Sequence, residues 1–112
     1  MHPDLDQTLA ALADPTRRAV IGLLRERPRR SGELAEALSL SRPAMSRHLR
    51  ILRKAQLVTE QIMQDDARGR IYRLQPEPFG TLRDWLDEVE AFWHDQLDAF
   101  KAHAERQHRG RK

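Results

Sequence analysis

The apolar positions of this chain change period twice, and the changes divide it into elements. Leu5, Leu9 and Leu12 recur at helical spacing and predict a short first helix ending near residue 13. Asp14-Pro15 restarts the chain: Asp is a good cap, and Pro at the first helical position loses no bonded N–H. A second helix over 15–27 then buries Ala19, Val20, Leu23 and Leu24, and Pro28 ends it. Ser31 is placed as the cap of a third helix whose apolar face is Leu34, Ala35 and Leu38. Ser39-Leu40-Ser41 is read as a turn. Ser41 caps a fourth helix with Pro43 in its first turn, and Met45, Leu49 and Leu52 lie at i, i+4, i+7.

After Gln56 the period shortens to two. Residues 57–64 and 70–74 predict two strands, with Val58, Glu60 and Ile62 alternating against Thr59, Gln61 and Met63. Residues 65–69, Asp-Asp-Ala-Arg-Gly, form the turn, so the segment 57–75 reads as a β-hairpin. Pro76 and Pro78 are taken as breaks. From Phe79 a long helix carries Leu82, Leu86, Val89, Trp93, Leu97 and Phe100 on one stripe. Five of the chain's six aromatic residues lie on this helix, more than a 112-residue chain can bury in its own core. The stripe therefore predicts contact with a second copy. Residues 105–112 have a basic, polar character that predicts a disordered tail. The expected architecture is mainly α with a small β-hairpin, one domain over 1–104 containing a helix-turn-helix (31–55), the hairpin (57–75) and a C-terminal dimerisation helix (78–104).

Composition narrows the class. The chain is 39% hydrophobic and 33% charged, as soluble globular proteins are. No apolar run is long enough to span a membrane, and the first residues lack the features of a secretory signal. The absence of cysteine excludes disulfides and thiolate metal sites, and fits the reducing cytoplasm. Net charge is only +3, but residues 41–55 carry +5 with no acid, and residues 76–100 carry −6. Such polarity suits a protein that offers one face to a polyanion.

The fourth helix carries that charge. With Met45, Leu49 and Leu52 inward, Pro43, Arg47, Arg50 and Lys54 lie nearly opposite. Small residues near its start, Ser41, Ala44 and Ser46, allow close approach to a groove. Arg47 and Arg50 are long enough to reach base edges, where Arg binds guanine O6 and N7 bidentately. Arg53 and Lys54, later on the helix, suit phosphate, as do the Ser39 and Ser41 hydroxyls. Arg68 and Arg70 flank Gly69 at the hairpin tip and suit a narrow minor groove. Two other readings fit the same pattern: a protein-interaction module with Arg47 and Arg50 meeting an acidic partner, and a sequence-indifferent DNA-binding protein.

The segments LADPTRRAVIGLL (12–24), ELAEALSLSRPAMSRHLRILRKAQLV (33–58) and Arg68-Gly69-Arg70 with IYRL (71–74) resemble the ArsR-type winged helix-turn-helix repressors of bacteria and archaea. The resemblance runs over nearly the whole chain. It implies a homodimer held by the first and last helices, here Leu5, Leu9, Leu12, Leu82, Leu86, Val89, Trp93 and Leu97. It implies a palindromic operator, and repression of the protein's own operon. By matching positions it assigns DNA contact to Ser41, Arg42, Pro43, Ser46, Arg47 and Arg50, and wing contact to Arg68 and Arg70. Two departures stand out. Gln56 replaces the family's usual Gly after the recognition helix, which predicts an altered junction. Leu34-Ala35-Glu36-Ala37 occupies the place where the family's metal sensors carry a Cys pair.

The residues identify no effector and no cofactor. His94 and Asp98 are at i, i+4, but they belong to no matching ligand set and are read as surface residues, so no metal is assigned. Ser46 and His48 are two apart on one helix and face different directions, which excludes a nucleophile–base pair, and there is no Gly-rich phosphate loop. His48 is expected to be a half-buried packing residue. The chain is therefore read as a DNA-binding regulator and not as an enzyme.

Overall fold

The computed structural model describes residues 3–62 and 69–109. Arg68 and the turn residues 65–67, expected at the wing tip, lie outside the described residues. The elements are α1 (Pro3–Leu12), α2 (Pro15–Glu26), β1 (Arg29–Arg30), α3 (Ser31–Ala37), α4 (Arg42–Lys54), β2 (Val58–Ile62), β3 (Arg70–Leu74) and α5 (Pro76–Arg109). They make a winged helix-turn-helix: three helices and the turn between α3 and α4, backed by a small antiparallel sheet of order β1-β3-β2.

Each helix end has a local cause. Asp14 caps α2 by accepting a hydrogen bond from the Thr16 N–H at 2.9 Å. Ser41 does the same for α4, its Oγ accepting from the Ala44 N–H at 3.2 Å. α3 and α4 both end in a Schellman motif. At α3 the Leu40 N–H reaches the Ala35 carbonyl and the Ser39 N–H the Glu36 carbonyl, with Ser39 at φ 55°. At α4 the Leu57 N–H reaches the Leu52 carbonyl and the Gln56 N–H the Arg53 carbonyl, with Gln56 at φ 61°. Gln56 thus takes the left-handed conformation that Gly would supply, and the junction expected to be altered keeps that backbone course. A residue with a Cβ is disfavoured there by roughly 1–2 kcal/mol, which two hydrogen bonds and the burial of Leu57 offset.

The interior of residues 1–80 is one apolar cluster. Val20 and Leu24 of α2, Leu34 and Ala35 of α3, and Met45, Leu49 and Leu52 of α4 meet Leu57 and, from the sheet, Val58 and Tyr72. Burying each large apolar side chain stabilises by about 1.5–3 kcal/mol. Leu49→Ala, with the cavity it leaves, would cost about 2–5 kcal/mol.

Several details differ from the sequence reading. Ser31 is the first residue of α3, not its cap. Arg30 holds the cap position and makes no side-chain cap hydrogen bond, because β1 runs directly into the helix. β1 turns the hairpin into a three-stranded sheet, with Arg29 paired to Tyr72 and Arg30 to Ile71. Two residues are too few to show a period. Ile62 shares the strand face of Val58 and Glu60, yet it is 67% exposed. Pro76 and Pro78 lie in the first turn of α5, where a missing N–H costs nothing, so they begin the helix rather than break the chain. At the other end α5 continues through Arg109. Residues 105–109 are helical, since they contain no Gly or Pro and Arg106 favours a helix C-terminus.

By packing, residues 1–80 and 81–112 form two compact units. The described residues of the second unit are all helical. Its apolar side chains face water in the single chain: Trp85, Leu86, Phe92, Trp93, Leu97 and Phe100 are 37–71% exposed. Phe92 and Trp93 meet edge to face at 6.3 Å. No helix among the described residues is long and apolar enough to cross a membrane.

Candidate nucleic-acid interface

α4 buries Met45, Leu49 and Leu52, and that burial fixes its outer face. Arg42, Pro43, Ser46, Arg47, Arg50, Arg53 and Lys54 are all exposed, as their helical spacing predicts. Arg42, Arg47, Arg50 and Lys54 pair with no acid among the described residues, so their positive charge is available to a ligand. Ser41 is exposed too, and its cap bond uses an oxygen lone pair while leaving the hydroxyl proton free to be donated.

Arg53 and Arg70 are different. Both reach Glu60 on β2: Arg53 Nη1 lies 2.7 Å from Oε1, and Arg70 Nη1 lies 3.4 Å from Oε2. The Tyr72 hydroxyl donates to the same Oε2 at 3.1 Å. The register explains the grouping. Glu60 is directly opposite Tyr72 across the β2–β3 ladder, and Arg70, two residues from Tyr72, shares its face. Burial raises the Tyr72 phenol above its usual value of 10.0, and the hydrogen bond and negative charge of Glu60 raise it further. Ser46, Arg50, Arg53, Arg70 and Tyr72 line a cleft of about 190 Å³ between α4 and β3. A second cleft of about 260 Å³, lined by Arg30, Ser31, Gly32, Glu33, Arg42 and Ser46, lies between α3 and the start of α4.

The side of α4 nearest α1 and α2 holds a third group. The Asp14 carboxylate stands 3.5 Å from Arg17 Nη1 and 3.7 Å from His48 Nδ1. Arg17 Nη1 also lies 3.4 Å from His48 Nδ1. Arg17 donates from Nε to the Ala11 carbonyl at 2.6 Å and from Nη2 to the Ala10 carbonyl at 3.3 Å. Arg18 donates to the Leu12 and Ala13 carbonyls at 2.8 and 3.1 Å. These carbonyls lie at the C-terminus of α1, and that of Ala10 also accepts from the Ala13 N–H at 3.3 Å. The DPTRR stretch thus caps two helices at once: Asp14 the start of α2, Arg17 and Arg18 the end of α1. His48 joins the recognition helix to that junction and is half-buried, as expected.

Among the other assigned residues, Leu9 is 39% exposed, while Leu5 is 6% exposed and packed within the chain. Leu12 packs against the core. Leu86, Trp93 and Leu97 are exposed, and Leu82 and Val89 half-buried. His94 lies 3.5 Å from Glu90, one turn back on α5. Sequence reasoning missed Glu60, Asp14 and Arg17 as organisers of this face. The strand alternation did place Glu60 on the face of Val58, the one signal that pointed inward.

The profile described as "Bacterial regulatory protein, arsR family" matches residues 14–60, which hold α2, α3, α4 and the Schellman turns. HTH-type transcriptional regulator Rv2034 of Mycobacterium tuberculosis H37Rv is 40% identical over 95 residues, spanning 85% of this chain and 83% of that protein. Transcriptional repressor SdpR of Bacillus subtilis is 34% identical over 56 residues, 50% of this chain and 62% of that protein. The solved structure of an ArsR-like transcriptional regulator from Rhodococcus sp. RHA1 superimposes with a TM-score of 0.78 at 29% identity, covering 91% of each chain.

Proposed function

The chain belongs to the ArsR family of bacterial regulatory proteins, and on that premise we propose that it is a transcriptional repressor that binds a palindromic operator as a homodimer and controls its own operon. One observation carries the DNA-binding reading: the outer face of α4 presents Arg42, Arg47, Arg50 and Lys54 with no acid among the described residues to neutralise them. α4 enters the major groove by its N-terminal half, where Ser41, Pro43 and Ser46 keep the approach close. Arg47 reads base edges, and Arg42, Arg50 and Lys54 meet phosphate. Arg68 is assigned to the adjacent minor groove, and Arg70 to the backbone beside it. The name of the Bacillus subtilis relative, a repressor, supports the sign of regulation.

The dimer rests on α5. Trp93 and Leu97, each 59% exposed, and Leu86, 50% exposed, are apolar side chains that a second copy would cover, and Leu9 adds to the same requirement. Sedimentation equilibrium checks this: Trp93→Glu with Leu97→Glu gives monomers, while a dimer that persists places the interface elsewhere. Operator binding is tested by selecting duplexes from a random library at physiological salt. The expected product is one inverted repeat with half-sites about one helical turn apart. Failure to enrich any sequence, with folded dimeric protein, overturns the reading in favour of sequence-indifferent binding or a protein partner.

A further inference from the structure

We propose that the cleft between α4 and β3 is a phosphate seat, and that the Glu60 carboxylate stands in for the phosphate while the protein is free. The cleft is lined by Ser46, Arg50, Arg53, Arg70 and Tyr72, three guanidinium groups and two hydroxyls, with no acid among them. Such a donor set matches an anion with several oxygens. Glu60, whose side chain is only 20% exposed, already takes three of those donors: Arg53 at 2.7 Å, Arg70 at 3.4 Å and the Tyr72 hydroxyl at 3.1 Å. Arg50 has no acid partner among the described residues. The seat therefore holds two arginines engaged by an internal anion and one open to an external anion.

The chemistry recognised is a phosphate group. The source is the DNA backbone, because the cleft lies between the recognition helix and the wing strand; this assignment rests on the DNA-binding reading above. A backbone phosphate entering the seat contacts Arg50 and displaces Glu60 from Arg53 and Arg70. Glu60 then has a function distinct from bracing. It withholds cationic charge from any duplex that fails to seat well, so it lowers sequence-indifferent binding more than operator binding. The internal carboxylate is a specificity device, and Glu60 a positioning residue acting through Arg53 and Arg70.

The experiment compares the full-length protein with Glu60→Gln on a random-sequence duplex across a salt series. The expected result is about three- to tenfold tighter binding by Glu60→Gln at physiological salt and a salt slope steeper by about one, because one more phosphate is neutralised. Arg53→Ala in the Glu60→Gln background removes that gain. In the unmodified protein, the side-chain Nε–H resonances of Arg53 and Arg70 are followed on adding the duplex or inorganic phosphate at matched ionic strength. The duplex is expected to shift them, and inorganic phosphate not to. An unchanged slope, or equally weakened binding, in Glu60→Gln overturns the stand-in role and leaves Glu60 a brace. Shifts produced by millimolar inorganic phosphate overturn the DNA source in favour of a small phosphorylated ligand. If the unmodified protein binds duplex while Glu60→Gln behaves identically, this inference alone fails; if neither binds any duplex, the DNA-binding reading fails with it.

Discussion

Two sets of arginines in the first 80 residues have opposite fates. Arg17 and Arg18, at the junction of α1 and α2, spend their donors on four backbone carbonyls of the same chain, and Arg17 adds Asp14. Arg47 and Arg50, on α4, find no acid among the described residues. Both sets follow a helix start marked by a capping side chain and a Pro, so the local sequence context is similar. What differs is the company. The α1 terminus presents carbonyls that the Arg17 and Arg18 forks fit, whereas the face of α4 around Arg47 and Arg50 meets no acid among the described residues. A basic residue in this fold is therefore structural or functional according to whether the chain itself supplies its acceptors. Arg53 and Arg70 stand between the two cases, held by a single carboxylate.

Exchanging the roles breaks the comparison most sharply. Arg17→Ala removes a side chain that is 14% exposed, taking a donor from the Ala10 and Ala11 carbonyls and the cation beside Asp14, whose cap bond from Thr16 remains. A loss of about 2–3 kcal/mol is expected in urea unfolding, and Arg17→Lys does not restore it because an ammonium lacks the fork. Affinity for DNA per folded molecule should hardly change. Arg47→Ala is the converse: operator affinity falls by about 1–3 kcal/mol, with preference relaxed at particular base pairs, while the unfolding midpoint stays put. If Arg47→Ala lowered stability and spared binding, the assignment of faces on α4 would be wrong.

Smaller effects sharpen the same contrast. Asp14→Ala loses the cap of α2 for about 1 kcal/mol, and Asp14→Asn, an equally good cap, recovers most of it. Gln56→Gly relieves the left-handed residue at φ 61° and raises stability by about 0.5–1 kcal/mol without touching DNA binding. Tyr72 supplies a pH test. Its phenol is raised by burial first and by Glu60 second, so the folded chain keeps the proton after the unfolded chain has released it. Stability is thus intact below pH 10.0 and declines as pH rises through the folded value. Tyr72 is the chain's one tyrosine, so ultraviolet titration reads it directly, and Glu60→Gln should lower its pKa.

The parts legible in the sequence were those written in local periods and caps. Asp14 and Ser41 announced the starts of α2 and α4, and the i, i+4, i+7 spacing of Met45, Leu49 and Leu52 oriented the recognition helix before any coordinates. The strand β1 was not legible, since two residues after a Pro carry no period and their pairing with Tyr72 and Ile71 comes from chain some forty residues away. Leu5 and Leu9 are both leucines of one amphipathic helix, and nothing local separates the buried one from the exposed one.

The sequence by itself determined which residues would face outward from α4, because helical geometry and a three-leucine-class stripe leave only one solution for the opposite side. Only the tertiary structure decided which of the outward cations are free. Whether an arginine meets a carboxylate depends on strand register and on helix ends packed from elsewhere, as Glu60 opposite Tyr72 and Arg17 beneath α1 show. Charge can be counted along a chain, but neutralisation requires two groups within hydrogen-bonding distance, and that distance exists only after folding.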